Sequence, residues 1–119
     1  MYGLLQALFY LKQKQKSIET AISKSKDKEK VCALEETLIN ISETINFIHQ
    51  QLNEFLLYIN STNPRMNKVI KKRFFEAKTW NEATFDFYTV DEDAIRMLIK
   101  RLCDKYDGMS QIEKEAYLK

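Results

Sequence analysis

At 119 residues and 14.1 kDa the chain has room for one domain, or for a helical arm with a small second domain, and its 45% hydrophobic and 30% charged residues are ordinary for a water-soluble protein. Two glycines and one proline argue against a β-sandwich or a glycine-rich nucleotide loop and for an all-α fold. A net charge of +2 is too small to call for a nucleic-acid partner by itself.

The first expected helix, residues 2–23, spaces Leu4, Leu8, Leu11, Gln15, Ile18 and Ile22 at alternating four and three residues. Its opening MYGLLQALFYL lacks a basic leader, and its apolar run is shorter than the roughly 20 residues that cross a bilayer. The expected location is therefore the cytoplasm, with no membrane partner. Ser23 to Lys28 (SKSKDK) is polar and forms the expected connection, with Asp27 as an N-cap. Charge concentrates here, because residues 12–30 carry seven lysines against Glu19, Asp27 and Glu29.

The second helix is the longest signal in the chain. Val31, Leu34, Leu38, Ile41, Ile45, Ile48, Leu52, Phe55 and Ile59 recur at three-then-four spacing without a glycine or proline. On a helix from about Glu29 to Asn60 this is one narrow stripe, roughly 47 Å long at about 1.5 Å per residue. Leu38, Ile41, Ile45, Ile48, Leu52, Phe55 and Ile59 are assigned to dimer or helix packing, and a homodimer is expected. Folding back near residue 26 makes an antiparallel hairpin whose second helix outruns the first. The overhang Leu52 to Ile59 must then dock on the C-terminal part or on a second subunit.

Asn60 to Pro64 end that helix, with Asn63 as N-cap and Pro64 at the first position of the next. The third helix, about Pro64 to Ala77, puts Met66, Ile70, Phe74 and Ala77 on one face and Lys68, Lys71 and Lys72 on the other. Two capping boxes follow. Thr79 to Glu82 opens a short helix to about Phe87, and Thr89 to Glu92 opens a longer one to about Tyr106, stopped by Gly108. A further box, Ser110 to Glu113, opens a last short helix to Leu118. On the longer helix Ile95, Leu98, Ile99, Leu102 and Tyr106 form the expected buried face, and Asp93, Arg96, Met97, Lys100, Arg101 and Asp104 the outward one.

The expected organisation is a long helical hairpin, residues 1–60, serving as an oligomerisation arm, followed by a three-helix helix-turn-helix-like unit with a short C-terminal helix, residues 61–119. Val69-Ile70-Lys71-Lys72-Arg73-Phe74-Phe75, then Lys78-Thr79-Trp80-Asn81-Glu82-Ala83, then the Ile95 to Leu102 helix resemble the sigma-region-four-like helix-turn-helix of small phage transcription regulators of the ArpU and RinA type. The resemblance covers about 40 residues, and the Lys-Thr-Trp-x-Glu-Ala box is its most specific part. Tyr88 stands where that family has a turn glycine, and Thr84 where it has alanine. The resemblance implies a regulator in a bacterial host cell that binds promoter DNA near late or packaging genes, or cooperates with host RNA polymerase. Lys68, Lys71, Lys72 and Lys78 would meet phosphates, and Arg96, Lys100 and Arg101 would meet base edges or backbone.

Asp91, Glu92 and Asp93 motivate another reading. Carboxylates in a first helical turn favour the helix dipole, yet they repel phosphate. A protein-interaction modulator that keeps the helix-turn-helix shape would use them to bind a repressor, a regulator or RNA polymerase. Trp80 is expected to anchor the small three-helix core. His49, the one histidine, has no ligand-spaced partner, and Cys32 and Cys103 have neither zinc nor CxxC spacing, so both are expected as free thiols. No metal, cofactor, small molecule or enzymatic activity is expected.

Overall fold

In the computed structural model, described for residues 1–85 and 91–118, the chain is all-α, with no strand among the described residues. Helix α1 is Tyr2–Lys24 and α2 is Lys28–Thr62. They form the hairpin, broken where Ser25 turns extended (φ −81°, ψ 139°). Asp27 caps α2, its Oδ1 accepting from the Glu29 amide at 3.0 Å and the Lys30 amide at 3.5 Å. No described helix is long and apolar enough to cross a membrane.

Along α2 the stripe faces inward. Ile41, Ile45, Ile48, Leu52, Phe55 and Ile59 are buried, and Leu34 and Leu38 pack against that core from its edge near the hairpin tip. From α1, Leu5, Leu8 and Ile18 are buried. Leu5 lies off the expected stripe, whereas Leu4, Leu11 and Ile22 pack only partly buried. Gln15 breaks the apolar seam but is matched, its Nε2 donating to Ser42 Oγ at 3.2 Å across the hairpin.

The overhang docks within the chain. Phe55 and Tyr58 meet Tyr106 at ring separations of 5.3 and 5.4 Å, and Tyr58 meets Tyr117 at 4.9 Å. One hydrophobic cluster runs from Leu5 and Leu8 through Phe55 and Ile59 to Ile70, Phe74, Ile95 and Ile99. The molecule measures 51 × 36 × 20 Å.

Helix α3 is Pro64–Ile70, capped by Asn63, whose Oδ1 accepts from the Met66 amide at 3.4 Å. The third helix does not run on as an α-helix to Ala77. It widens into a π-helical turn, Lys71–Phe75, and stops. Ala77 has φ 54°, the left-handed region, so it leaves the helix rather than extending the Met66, Ile70, Phe74 face. Lys16 reinforces the ending by donating its Nζ to the Glu76 carbonyl at 2.8 Å.

Helix α4 is the single turn Trp80–Ala83, not a helix to Phe87, since Thr84 already has φ −106°, ψ 14°. Thr79 Oγ1 accepts from the Glu82 amide at 3.2 Å and itself donates to Glu82 Oε1 at 3.0 Å, so this cap is half of the expected box. Phe87, Tyr88 and Thr89 lie outside the described residues.

Helix α5 is Glu92–Asp107, with Asp91 as its N-cap. Ile95, Ile99, Cys103 and Tyr106 are buried, whereas Leu98, expected on the buried face, is 37% exposed and Leu102 is only partly buried. Cys103 takes the inward position that Leu98 does not. Gly108 ends α5 at φ −81°, so its left-handed freedom is not used. Helix α6, Gln111–Glu115, has the complete Ser110–Glu113 capping box.

Candidate nucleic-acid interface

The cations that the sequence singles out fall on two surfaces. Lys68 on α3 and Lys71 on the π-helical turn are exposed, and Lys72 is half-buried. In sequence Arg65, Lys68, Lys71, Lys72 and Arg73 occur between Glu54 and Glu76 with no carboxylate between them. Lys71 lines a groove of about 480 Å³ with Asn53, Leu56, Leu57, Asn60 and Asn67, between the end of α2 and α3.

Arg96, Lys100 and Arg101 are exposed on α5. Arg96 and Lys100 line a second groove, of about 540 Å³, with Asp93 and Met97 from α5 and Tyr2 and Gln6 from α1. Neither groove contains cations from the other surface. Lys78 belongs to the turn between them, where its ammonium pairs with Glu76 at 3.2 Å and its carbonyl accepts from Arg73 Nη1 at 3.0 Å. Arg96 pairs at 3.8 Å with Asp93, one turn back. Such exposed pairs hold little energy, so both cations can exchange a carboxylate for a phosphate.

Arg73 is the residue that position in the sequence alone undersells. Its guanidinium carbon lies 3.8 Å from the Phe9 ring centroid and 4.7 Å from that of Trp80, while Arg96 lies 5.6 Å from Trp80 on the same aromatic column. Trp80 also meets Phe74 edge-on at 5.9 Å, as expected of a core anchor. Burial first, and then the like charge of Arg96, lower the Arg73 pKa from its ordinary value. Arginine nevertheless stays cationic at neutral pH. A fixed positive charge therefore ties α1 to α4. Its signal in the sequence is spacing, since it follows Met66 by seven and Ile70 by three and so borders the buried face. Tyr2 and Gln6 carry no comparable signal.

The acidic start of α5 has a structural use. Asp91 Oδ1 accepts from the Asp93 amide at 3.2 Å, and Asp93 holds Arg96. Three buried polar atoms have no hydrogen-bond partner among the described residues: His49 Nε2, Asn67 Oδ1 and Arg73 Nε. Each such atom costs on the order of 1–3 kcal/mol. His49, half-buried on α2, stacks on Phe75 at 4.9 Å.

Comparisons of the chain with models of known protein families, with curated proteins and with solved structures give no match.

Proposed function

We propose that the protein is a small phage or mobile-element transcription regulator that binds promoter DNA. The observation that carries this reading is the division of α5, which is fixed to the core by Ile95, Ile99, Cys103 and Tyr106 while Arg96, Lys100 and Arg101 stand in solvent. A helix held by its back with cations outward is what major-groove reading requires. The acid-free α3 segment supplies a second set of phosphate contacts through Lys68, Lys71 and Lys72. A two-fold DNA site calls for two copies of the chain. Their contact must use side chains other than Ile41, Ile45, Ile48, Leu52, Phe55 and Ile59 of the α2 stripe, because these are covered within one chain.

Selection from a random duplex library with full-length protein tests the reading, followed by affinity measurements over a range of salt. One enriched sequence family is expected, and each phosphate-contacting lysine removed should lower the slope of log affinity against log salt by about 1. The triple change Arg96→Ala, Lys100→Ala, Arg101→Ala should abolish the sequence preference. Recovery of no sequence family at low salt rejects DNA recognition.

The exposed Asp93 beside Asp91 and Glu92 favours a second reading, in which α5 binds a basic surface on a regulator or on RNA polymerase. Asp93→Lys separates the two, strengthening DNA binding under the first and weakening the protein complex under the second.

A further inference from the structure

We infer that the groove between the last turns of α2 and α3 holds an extended, acidic peptide segment of a partner protein. This does not depend on α5 reading DNA. Three carboxamides line the groove, from Asn53, Asn60 and Asn67. Asn53 and Asn60 are seven residues apart on α2, about 10.5 Å along the axis, which is close to the advance of three residues of extended chain at about 3.3 Å each.

A carboxamide offers one acceptor and two donors, the complement of a peptide unit's N–H and C=O. The set is also under-used. Asn67 is 7% exposed, its Nδ2 reaches Asn60 Oδ1 only at 3.5 Å, and its Oδ1 has no partner among the described residues. Turning that carboxamide toward the groove presents the acceptor to an incoming amide.

The remaining lining selects the side chains. Lys71 is exposed at one wall, and no carboxylate is among the described residues lining the groove, so an aspartate or glutamate of the segment meets a cation there. Leu57, 46% exposed, and Leu56 offer an apolar patch for an alternate side chain. Among the described residues no aromatic lines the groove, so they offer no stacking platform of the kind that single-stranded nucleic acid uses. A helical partner would leave the carboxamides idle, because its own amides are already paired.

The test is to pan a displayed library of short random peptides on the full-length protein and titrate the winning peptide into ¹⁵N-labelled protein. Acidic peptides should be enriched, and the side-chain amide signals of Asn53, Asn60 and Asn67 should move. Lys71→Glu should weaken binding about tenfold. Asn60→Ala, at an exposed position, should weaken it too while leaving helix content and any DNA affinity unchanged. The inference is overturned if no acidic peptide is enriched, or if the winning peptide leaves those amides unmoved. It is equally overturned if both variants bind normally, or if a random single-stranded oligonucleotide moves the amides and the peptide does not.

Discussion

The two cysteines differ only in where their helices put them. Cys32 is exposed on α2, while Cys103 is buried on α5, where desolvation pushes its thiol pKa up to about 12. Since the thiolate is the reactive form, a disulfide reagent at about pH 8 should modify one thiol per folded chain and two in denaturant. Rapid reaction of both in the folded chain would contradict the burial of Cys103. His49 makes a second prediction. Burial first, and then Lys12, hold its folded pKa below the ordinary 6.5. Its stabilising contribution is therefore complete above pH 6.5 and is lost as pH falls through the folded value. Denaturation midpoints measured from about pH 7.5 to 5.5 should fall, and His49→Gln should flatten that fall. A variant with an unchanged pH profile would remove His49 as the cause.

At the level of the elements, position on α2 decides the cost of a substitution. Leu52→Ala should destabilise by about 2–5 kcal/mol because the side chain is fully buried, whereas Leu57→Ala, nearly half exposed, should stay within about 0.5 kcal/mol. Urea titration reads both. Ala77 offers the opposite sign. A non-glycine residue in the left-handed region costs roughly 1–2 kcal/mol, and the extra freedom of glycine in the unfolded chain returns part of that, so Ala77→Gly should stabilise by about 0.5–1 kcal/mol. A loss of stability would mean that the Ala77 methyl packs to a degree that outweighs its backbone strain.

These elements also mark what the sequence made legible. The α2 stripe, the Asp27, Asn63 and Ser110 caps, and the outward placing of Arg96, Lys100 and Arg101 are all local in origin, fixed by helical periodicity or by a side chain reaching its own next turn. The π-helical turn was not legible, because widening by one residue leaves no local pattern. Leu98 is exposed and Cys103 buried because tertiary packing, rather than the period of α5, decides which edge of a broad apolar face is covered. The column brings Phe9 of α1 to Arg73 and Trp80, which lie more than 60 residues further along the chain, and spacing along one helix places Arg73 at the edge of a buried face without revealing that partner.

On the scale of the whole molecule, the hydrophobic cluster ignores the boundary near residue 60. Leu5 and Leu8 from the hairpin share it with Ile70, Ile95 and Ile99 from the C-terminal part, so neither part retains its core alone. Thermal unfolding followed by far-ultraviolet ellipticity, dominated by α1 and α2, should coincide with that followed by near-ultraviolet ellipticity from the Tyr58, Tyr106 and Tyr117 cluster. Two separated transitions would show a hairpin that stands by itself.

The chain contains one tryptophan, and it is Trp80, flanked by the guanidinium groups of Arg73 and Arg96. Arg73 is wedged against Phe9, but Arg96 is exposed, and among the described residues it has one long ion pair, to Asp93, beside its contact with the indole. Any anion that draws Arg96 away changes the electric field at a single indole. The emission of the unmodified chain is thus a built-in optical gauge of occupancy at α5, needing no label and carrying no background from a second fluorophore of its kind.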